Sequence, residues 1–229
     1  MSFRTGAAAL LLSLSAGAAG AATFLAPVPY LSSADIPFGL YDAGQPVFIE
    51  DFEGGAVDSR ITGSAGGPLK PGLFTDSVDA DDGAIDGFGN LGWSYSVTNG
   101  FTGIMFTFEN PVTAAGLAVT DGRGFLQFEA FDAYGDTLGA IGGFFGDSLE
   151  NGGTAEDMFY GVREDDDGIS AIFVKTFSTA RLEVETAYRR TSSRMPRFAR
   201  AYVVLRSTLP PRGFRRSTGR CGSRRAAPG

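Results

Sequence analysis

Five aspartates lie between positions 76 and 86, in a segment that also contains Gly83, Gly87 and Gly89. So many like charges in one turn repel one another unless a cation or solvent lies between them. Carboxylate oxygens at alternate positions, with a glycine that allows a sharp turn, suit Ca²⁺ coordination. The match to an EF-hand loop is partial, because the glycine comes one position early and Asn90 stands at the closing acidic position. We predict a calcium site with the ligands Asp79, Asp81, Asp82 and Asp86; the alternative is an exposed turn held by aspartate side chains.

Other kinds of site are excluded by the composition. The chain of 229 residues has no histidine, and its one cysteine is Cys221. A Ser-His-Asp triad, a Cys-His pair and a histidine-ligated zinc site each need an imidazole. A single cysteine allows neither an intramolecular disulfide nor a cysteine-cluster metal site. The remaining chemistry uses carboxylates, hydroxyls, amines or hard metal ions.

Paired carboxylates hydrolyse glycosides without histidine or cysteine. Glu50, Asp51 and Glu53 lie beside a predicted strand, and Glu129 lies within another. Nothing in the sequence sets the separation of two carboxyl groups across a cleft, so we assign no catalytic residue. A carboxylate-dependent glycan hydrolase or lyase remains an alternative.

Two aromatic residues are candidates for ligand binding. Trp93 and Tyr95 alternate with Ser94 and Ser96 in a predicted strand, so both rings share one face. On an exposed face such a pair stacks on sugar rings, whereas the same spacing also describes a face packed into the core. Both interpretations stay open at this point.

Short apolar runs separated by turn residues indicate the fold that positions these groups. Helical periodicity is missing between Phe24 and Ala180, and strands with such short connections need a second sheet to bury their apolar faces. We therefore predict an all-β fold, a two-sheet antiparallel sandwich of jelly-roll type. The glycine-rich segments 63–67 and 141–146 are interpreted as loops or bulges. The predicted strands are 47–52, 93–97, 104–108, 116–120, 125–131, 158–162 and 169–173, with a last strand at 182–185.

The N-terminal segment has the order of a secretory signal peptide. A basic residue, Arg4, precedes an apolar stretch and an Ala-Gly-Ala cleavage candidate at 19–21. No later stretch has 18 consecutive apolar residues, so we expect no transmembrane anchor in the mature chain. The predicted organisation is a signal peptide at 1–22, a lead-in at 23–46, a β-sandwich domain at 47–185 and an arginine-rich tail at 186–229.

The tail differs in charge from the rest of the chain. Residues up to Ala180 carry 24 acidic and 6 basic side chains, whereas the remainder has 13 arginines against Glu183 and Glu185. Three interpretations compete: a basic arm for an anionic polymer, a disordered tail, or translation of a GC-rich gene out of frame. A chain exported from the cell does not normally meet nucleic acid, so we expect no nucleic-acid binding. We expect the tail to be disordered.

Several short motifs together resemble the exported bacterial proteins that carry a PEP-CTERM-type sorting signal. They are FIEDFE at 48–53, DSVDADDG at 76–83, IDG at 85–87, GWS at 92–94, GIMFTF at 103–108 and TAEDMFYGV at 154–162. The resemblance implies a β-sandwich body, sorting to the cell surface and an association with exopolysaccharide; it implies no enzyme activity. The chain departs from the family after residue 185, where an arginine-rich tail replaces the apolar sorting helix, either because the signal was lost or because of a frameshift near Glu185.

We therefore expect a non-catalytic protein, secreted or at the cell surface of a bacterium. Its expected cofactor is calcium and its expected partner is extracellular polysaccharide. The alternatives are the glycan hydrolase or lyase and a structural surface protein without a small ligand. The sequence predicts no oligomeric state.

Overall fold

The computed structural model describes residues 22–41, 47–70, 76–89, 92–146, 152–166 and 168–189. Nearly all regular structure in these ranges is antiparallel strand, with two short 3-10 helices at Ser33–Asp35 and Asp79–Asp82. The strands are β1 Thr23–Pro29, β2 Phe48–Glu50, β3 Ile61–Gly63, β4 Gly67–Leu69, β5 Ser94–Val97, β6 Ile104–Val112, β7 Ala114–Asp121, β8 Gly124–Phe131, β9 Thr137–Phe145, β10 Met158–Arg163, β11 Ile169–Thr176 and β12 Leu182–Arg189.

The strands form two sheets. One has seven strands in the order β1-β10-β7-β12-β5-β4, with β2 also paired to β12; the other has the order β3-β6-β11-β8-β9. Within them, β10-β7-β12-β5 and β6-β11-β8-β9 are the two four-stranded layers that a jelly roll forms from eight consecutive strands. The predicted all-β, jelly-roll sandwich is confirmed.

The core lies between the two sheets because apolar side chains alternate along the strands. In β8, Leu126, Phe128 and Ala130 are buried, while the residues between them are partly exposed. They pack against side chains such as Leu117 and Val184 of the seven-stranded sheet. A second buried cluster contains Tyr30, Leu40, Tyr41, Val78, Ala114, Ala118 and Phe159, so the chain between β1 and β2 and the segment around Val78 cover the other side of β7 and β10.

Several strands lie where the sequence analysis placed none. The segment 141–146, interpreted as a loop or bulge, is instead the end of β9 as far as Phe145, paired with β8 along its whole length. The interpretation was wrong because the glycines there leave room for neighbouring side chains and do not break the strand. The predicted loop 63–67 is a turn only at 64–66, since Gly63 ends β3 and Gly67 begins β4. The lead-in also supplies β1, which pairs with β10.

The last strand is longer than predicted. β12 continues past Glu185 to Arg189, and Tyr188 is buried in the core. The boundary expected after Glu185 therefore cuts through a strand. Residues 1–21 of the predicted signal peptide, residues 190–229 of the predicted tail and, within them, Cys221 lie outside the described residues. Among the described residues, no helix has both the length and the apolar character needed to cross a membrane.

Candidate metal centre

Two acidic residues face each other across neighbouring strands of the seven-stranded sheet. Asp121 ends β7, and Glu183 lies opposite it in β12, at a point where the register of the two strands shifts. Both are buried, with exposed fractions of 3% and 0%. Like charges directly opposite each other destabilise an antiparallel pair. The position therefore requires neutralisation by protons or by a cation.

A third carboxylate comes from the segment 76–89, which packs against this sheet. Thr120 Oγ1 donates a hydrogen bond to the carbonyl of Asp76 at 3.5 Å. Ser77 closes the segment by donating its backbone N–H to the carbonyl of Gly89 at 2.8 Å. Asp76 is thereby held at 1% exposure beside the strand pair. One carboxylate oxygen from each of Asp76, Asp121 and Glu183 lies within 4.8 Å of the others.

Among the described residues, few donors reach the carboxylates of Asp76 and Glu183. Neither carboxylate oxygen of Asp76 accepts a hydrogen bond from the described part of the chain. Glu183 accepts one from the hydroxyl of Ser94 at 3.3 Å, and its other oxygen lies 3.6 Å from a guanidinium nitrogen of Arg181. Buried polar groups normally have partners, so an unpartnered buried carboxylate points to a ligand.

The electrostatics of the cluster follow from burial and crowding. Desolvation, together with the charges of Asp121 and Glu183, raises the pKa of Asp76 to about 10. Desolvation and the charge of Asp121 raise the pKa of Glu183 to about 8, although Arg181 acts in the opposite direction. A raised carboxyl pKa means that the site without a cation favours protons over negative charge.

Asp157 adds a fourth carboxylate next to this group. It directly precedes β10, the other neighbour of β7, and is 1% exposed. Neither of its carboxylate oxygens accepts a hydrogen bond from the described residues. Burial, followed by the charge of Asp76, raises the pKa of Asp157 well above its usual range.

The cluster suits a hard divalent cation. Ca²⁺ binds oxygen at about 2.4 Å, so two oxygens on one ion are at most about 4.8 Å apart. The three carboxylates of Asp76, Asp121 and Glu183 meet this condition. Their oxygens are hard ligands of the type that Ca²⁺ prefers, and the site lacks the thiolate and imidazole ligands typical of zinc.

The ligands predicted from the sequence have other roles. Asp79 is buried, and its carboxylate accepts hydrogen bonds from the backbone N–H groups of Asp86 and Gly87 and from the hydroxyl of Thr154. Asp86 is exposed and accepts from the backbone N–H of Phe88 at 3.2 Å, a turn-stabilising contact. These two side chains hold the loop in shape by contacts within the chain.

Asp81 contacts a buried acidic residue. The Asp81 carboxyl group is hydrogen-bonded to that of Glu185, a buried residue whose pKa is raised by burial and by this contact. Asp82 ends the 3-10 helix, and its side chain lies outside the described residues. In the described structure the side chains of Asp79, Asp81 and Asp86 are thus directed toward the backbone of the loop, Thr154 and Glu185, and calcium binding by the four predicted ligands stays a prediction.

The two aromatic residues of the predicted pair lie in different surroundings: Tyr95 is part of the core, and Trp93 is at its edge. Tyr95 is 3% exposed, with its ring 5.3 Å from Phe52 and 5.0 Å from Phe106 between centroids. Burial leaves its ring no open face for a sugar, so of the two interpretations left open by the sequence the core one describes Tyr95. Trp93 is half-buried against the core, and its backbone N–H donates to Glu53 at 2.5 Å.

The acidic residues considered for glycan cleavage bind neighbouring donors. Glu50 accepts hydrogen bonds from the backbone N–H groups of Phe52 and Asp58, and Asp51 accepts one from that of Glu53. Glu129 accepts one from the hydroxyl of Thr137 at 3.0 Å. These contacts stabilise turns and one strand pair.

Sequence reasoning did not bring together Asp76, Asp121 and Glu183 as candidate metal ligands. Asp76 belongs to the acidic segment singled out from the sequence but is not among its predicted ligands, and nothing in the sequence singles out Asp121. Glu183 carried the clearest signal, since it stands between Leu182 and Val184 within an apolar strand. Only the register of β7 against β12 shows that it meets Asp121.

No protein-family model and no curated protein matches the chain. Solved structures with a similar arrangement include the catalytic domain of a GH87 alpha-1,3-glucanase, as a variant in complex with tetrasaccharides, at 14% identity and a TM-score of 0.38. The same domain in complex with nigerose aligns at 16% identity and a TM-score of 0.34. In both cases 66% of this chain is covered, and the chain spans 29% of the length of the other. A likeness of this size assigns neither a family nor an activity.

Proposed function

We propose that this protein is a non-catalytic, exported β-sandwich that is stabilised by calcium and associates with polysaccharide at the cell envelope or in the extracellular matrix. The observation that carries the proposal is the cluster of Asp76, Asp121 and Glu183, whose oxygens lie within 4.8 Å of one another in a buried position. A cation there offsets the repulsion between the strands and between the sheet and the segment 76–89. Calcium binding thus stabilises the folded state.

The environment outside a cell suits such a site. Calcium sites of extracellular modules bind in the range of about 10⁻⁴ to 10⁻³ M. This is consistent with the signal-peptide pattern at 1–22 and with the resemblance to PEP-CTERM-type proteins, which together support export.

Burial of the cluster supports a structural role for the metal. A glycosidase needs two carboxyl groups that flank a substrate bond at an open cleft. Asp76, Asp121 and Glu183 are at most 3% exposed, so a glycan does not reach them. We therefore favour the non-catalytic function over a carboxylate-dependent hydrolase or lyase.

Thermal melts of the full chain in CaCl₂ and in EDTA, at matched ionic strength, test the metal site. We expect calcium to raise the melting temperature, with a stabilisation of about 2.7 kcal/mol at a hundred times the dissociation constant. Asp76→Asn and Asp121→Asn should lose this response. In EDTA they should melt above the wild type, because each replaces a buried carboxyl group, which is costly beside the other carboxylates when charged and must hold a proton when neutral, by an uncharged amide.

Asp86→Asn is the matched control, since Asp86 is exposed and belongs to the same acidic loop. It should keep the full calcium response. A response lost in Asp86→Asn but kept in Asp121→Asn would return the site to the loop. A wild type that melts equally in calcium and EDTA would refute calcium stabilisation.

A further inference from the structure

Four phenylalanines form a continuous exposed surface at one end of the five-stranded sheet. Phe144 is 90% exposed, and Phe101, Phe125 and Phe177 are each about half exposed. The ring centroid of Phe125 lies 5.8 Å from that of Phe144 and 5.9 Å from that of Phe177, which in turn lies 6.4 Å from Phe101. All three contacts are edge-to-face. We call these four residues the aromatic surface.

The pairing of strands in the five-stranded sheet directs the rings of Phe125 and Phe144 away from the core. Phe125 and Phe144 are directly opposite each other in β8 and β9, and Phe177 donates its backbone N–H to the carbonyl of Phe125 at 2.9 Å. Since Leu126 points into the core, Phe125 points away from it. The edge of its ring overlies Gly142, where an added Cβ would lie only 2.8 Å from a ring carbon. The aromatic surface is thus built on strands and packed against a glycine.

Polar side chains occupy the next row of the same face. Gln127 is paired with Gly142 on one side and with Lys175 on the other. The Lys175 ammonium lies 4.9 Å from the centroid of the Phe177 ring, a cation–π contact. Hydrogen-bonding groups therefore border the rings directly.

We propose that the aromatic surface, together with Gln127 and Lys175, binds a neutral polysaccharide. A sugar ring has an apolar C–H face that packs on an aromatic ring, and hydroxyls that bond to amide and ammonium groups at its edge. An exposed apolar patch rimmed by polar groups marks an interaction site. This inference rests on the proposed function and names the surface through which the polysaccharide is held.

The charge of the body selects a neutral polymer. Residues up to Ala180 carry 24 acidic against 6 basic side chains, so the surrounding field repels anionic polymers and anionic lipid surfaces. Neutral chains are not repelled, and Lys175 still donates to their hydroxyls. Ring stacking supplies an attraction that does not depend on charge.

Affinity electrophoresis of the full chain tests the surface, in native gels that contain dextran, hydroxyethyl cellulose, galactomannan or, as the anionic case, alginate. We expect retardation in at least one neutral gel. The double variant Phe144→Ala/Phe177→Ala should bind roughly tenfold more weakly because two stacking rings are lost. Phe38→Ala is the matched control, since Phe38 is 97% exposed and lies outside the aromatic surface. It should bind as the wild type does, and equal melting temperatures in calcium show that all three proteins are folded.

Each alternative result has a separate meaning. If the double variant is retarded like the wild type, the aromatic surface is not the site, although polysaccharide association stands. If no neutral gel retards the wild type, both this inference and the polysaccharide part of the proposed function are overturned, whereas calcium stabilisation is judged by its own melts. Stronger retardation in alginate overturns the choice of a neutral polymer.

Sedimentation of the wild type tests whether the aromatic surface instead joins two copies of this chain. A wild-type dimer that Phe144→Ala converts to monomers assigns the surface to that contact and also overturns the inference.

Discussion

Asp76 and Asp79 are separated by two residues and are equally buried, but their surroundings differ. Two backbone amides and the hydroxyl of Thr154 bind the Asp79 carboxylate, whereas no described residue donates a hydrogen bond to that of Asp76. Hydrogen bonds to the charged form stabilise a carboxylate, and desolvation beside other carboxylates destabilises it. Asp79 therefore shapes the loop, whereas Asp76 offers its carboxylate to the proposed cation.

The raised pKa of Asp76 predicts how stability depends on pH in EDTA. Its carboxyl group has a pKa of about 10 in the folded chain, against an ordinary value near 3.8, because of burial and the charges of Asp121, Glu183 and Glu156. The folded state thus retains a proton that the unfolded state releases from about pH 4 upward. The free energy of unfolding should fall between pH 5 and pH 8, by about 4 kcal/mol for each proton retained over these three units.

Urea denaturation at both pH values checks this prediction. Calcium replaces the protons, so the fall should be much smaller in CaCl₂ than in EDTA. The Asp121→Asn protein provides a control. It has less repulsion between carboxylates in the cluster, so its free energy of unfolding in EDTA should fall less between pH 5 and pH 8. A wild type whose stability in EDTA is the same at pH 5 and pH 8 would contradict the raised pKa.

At the scale of the strands, β7 and β10 pack tightly where two glycines lie opposite each other. Gly116 of β7 lies opposite Gly161 of β10, and the ring of Phe159 packs over Gly116. A Cβ at position 116 would lie 2.4 Å from that ring and 2.6 Å from the carbonyl oxygen of Tyr160. The absence of a side chain at Gly116 thus permits the ring to pack on the sheet.

Gly116→Ala should therefore destabilise the protein by about 1 to 3 kcal/mol, the usual cost of overpacking, as measured by urea denaturation in calcium. Gly143→Ala is the matched control within β9, because nothing lies within 4 Å of a Cβ added there. It should be neutral or slightly stabilising, since alanine restricts the unfolded chain. Equal effects of the two substitutions would argue against the tight contact of β7 with β10.

At the scale of the whole molecule, Tyr188 joins the two sheets near the end of β12. Its ring stacks on Phe48 of β2 at 5.8 Å and contacts Phe108 of β6 at 5.3 Å, so it touches one strand from each sheet. The guanidinium of Arg60 lies 4.5 Å from the centroid of the Phe48 ring. The residues just after Glu185 are thus part of the folded body.

Tyr188→Ala should cost about 3 kcal/mol of unfolding free energy, because it removes a buried aromatic ring and leaves a cavity between the sheets. Tyr134→Ala serves as the control, since that ring is 69% exposed in the turn before β9. Chemical denaturation in calcium measures both. If Tyr188→Ala is as stable as the wild type, the body ends before this residue, as the sequence analysis expected.

The sequence by itself determined the class of fold and most of its central strands. Alternation in β8 and the short apolar runs of β5, β6, β7, β10 and β11 are local signals, because each strand must bury one face. The sequence also determined which kinds of site are impossible, since catalytic and metal sites that need an imidazole cannot form in a chain without histidine. The strands it missed, such as β3 and β4, are short or rich in glycine and become strands only through their partners.

Only the tertiary structure decided which acidic residues meet. Asp76, Asp121 and Glu183 lie 45 and 62 positions apart in the chain, and the pairing of β7 with β12 and the packing of segment 76–89 bring them together. Burial likewise decided that Tyr95 belongs to the core and that Phe125, Phe144 and Phe177 face outward. The physical reason is that residue type and spacing act along the chain, whereas desolvation and charge repulsion depend on distance in space.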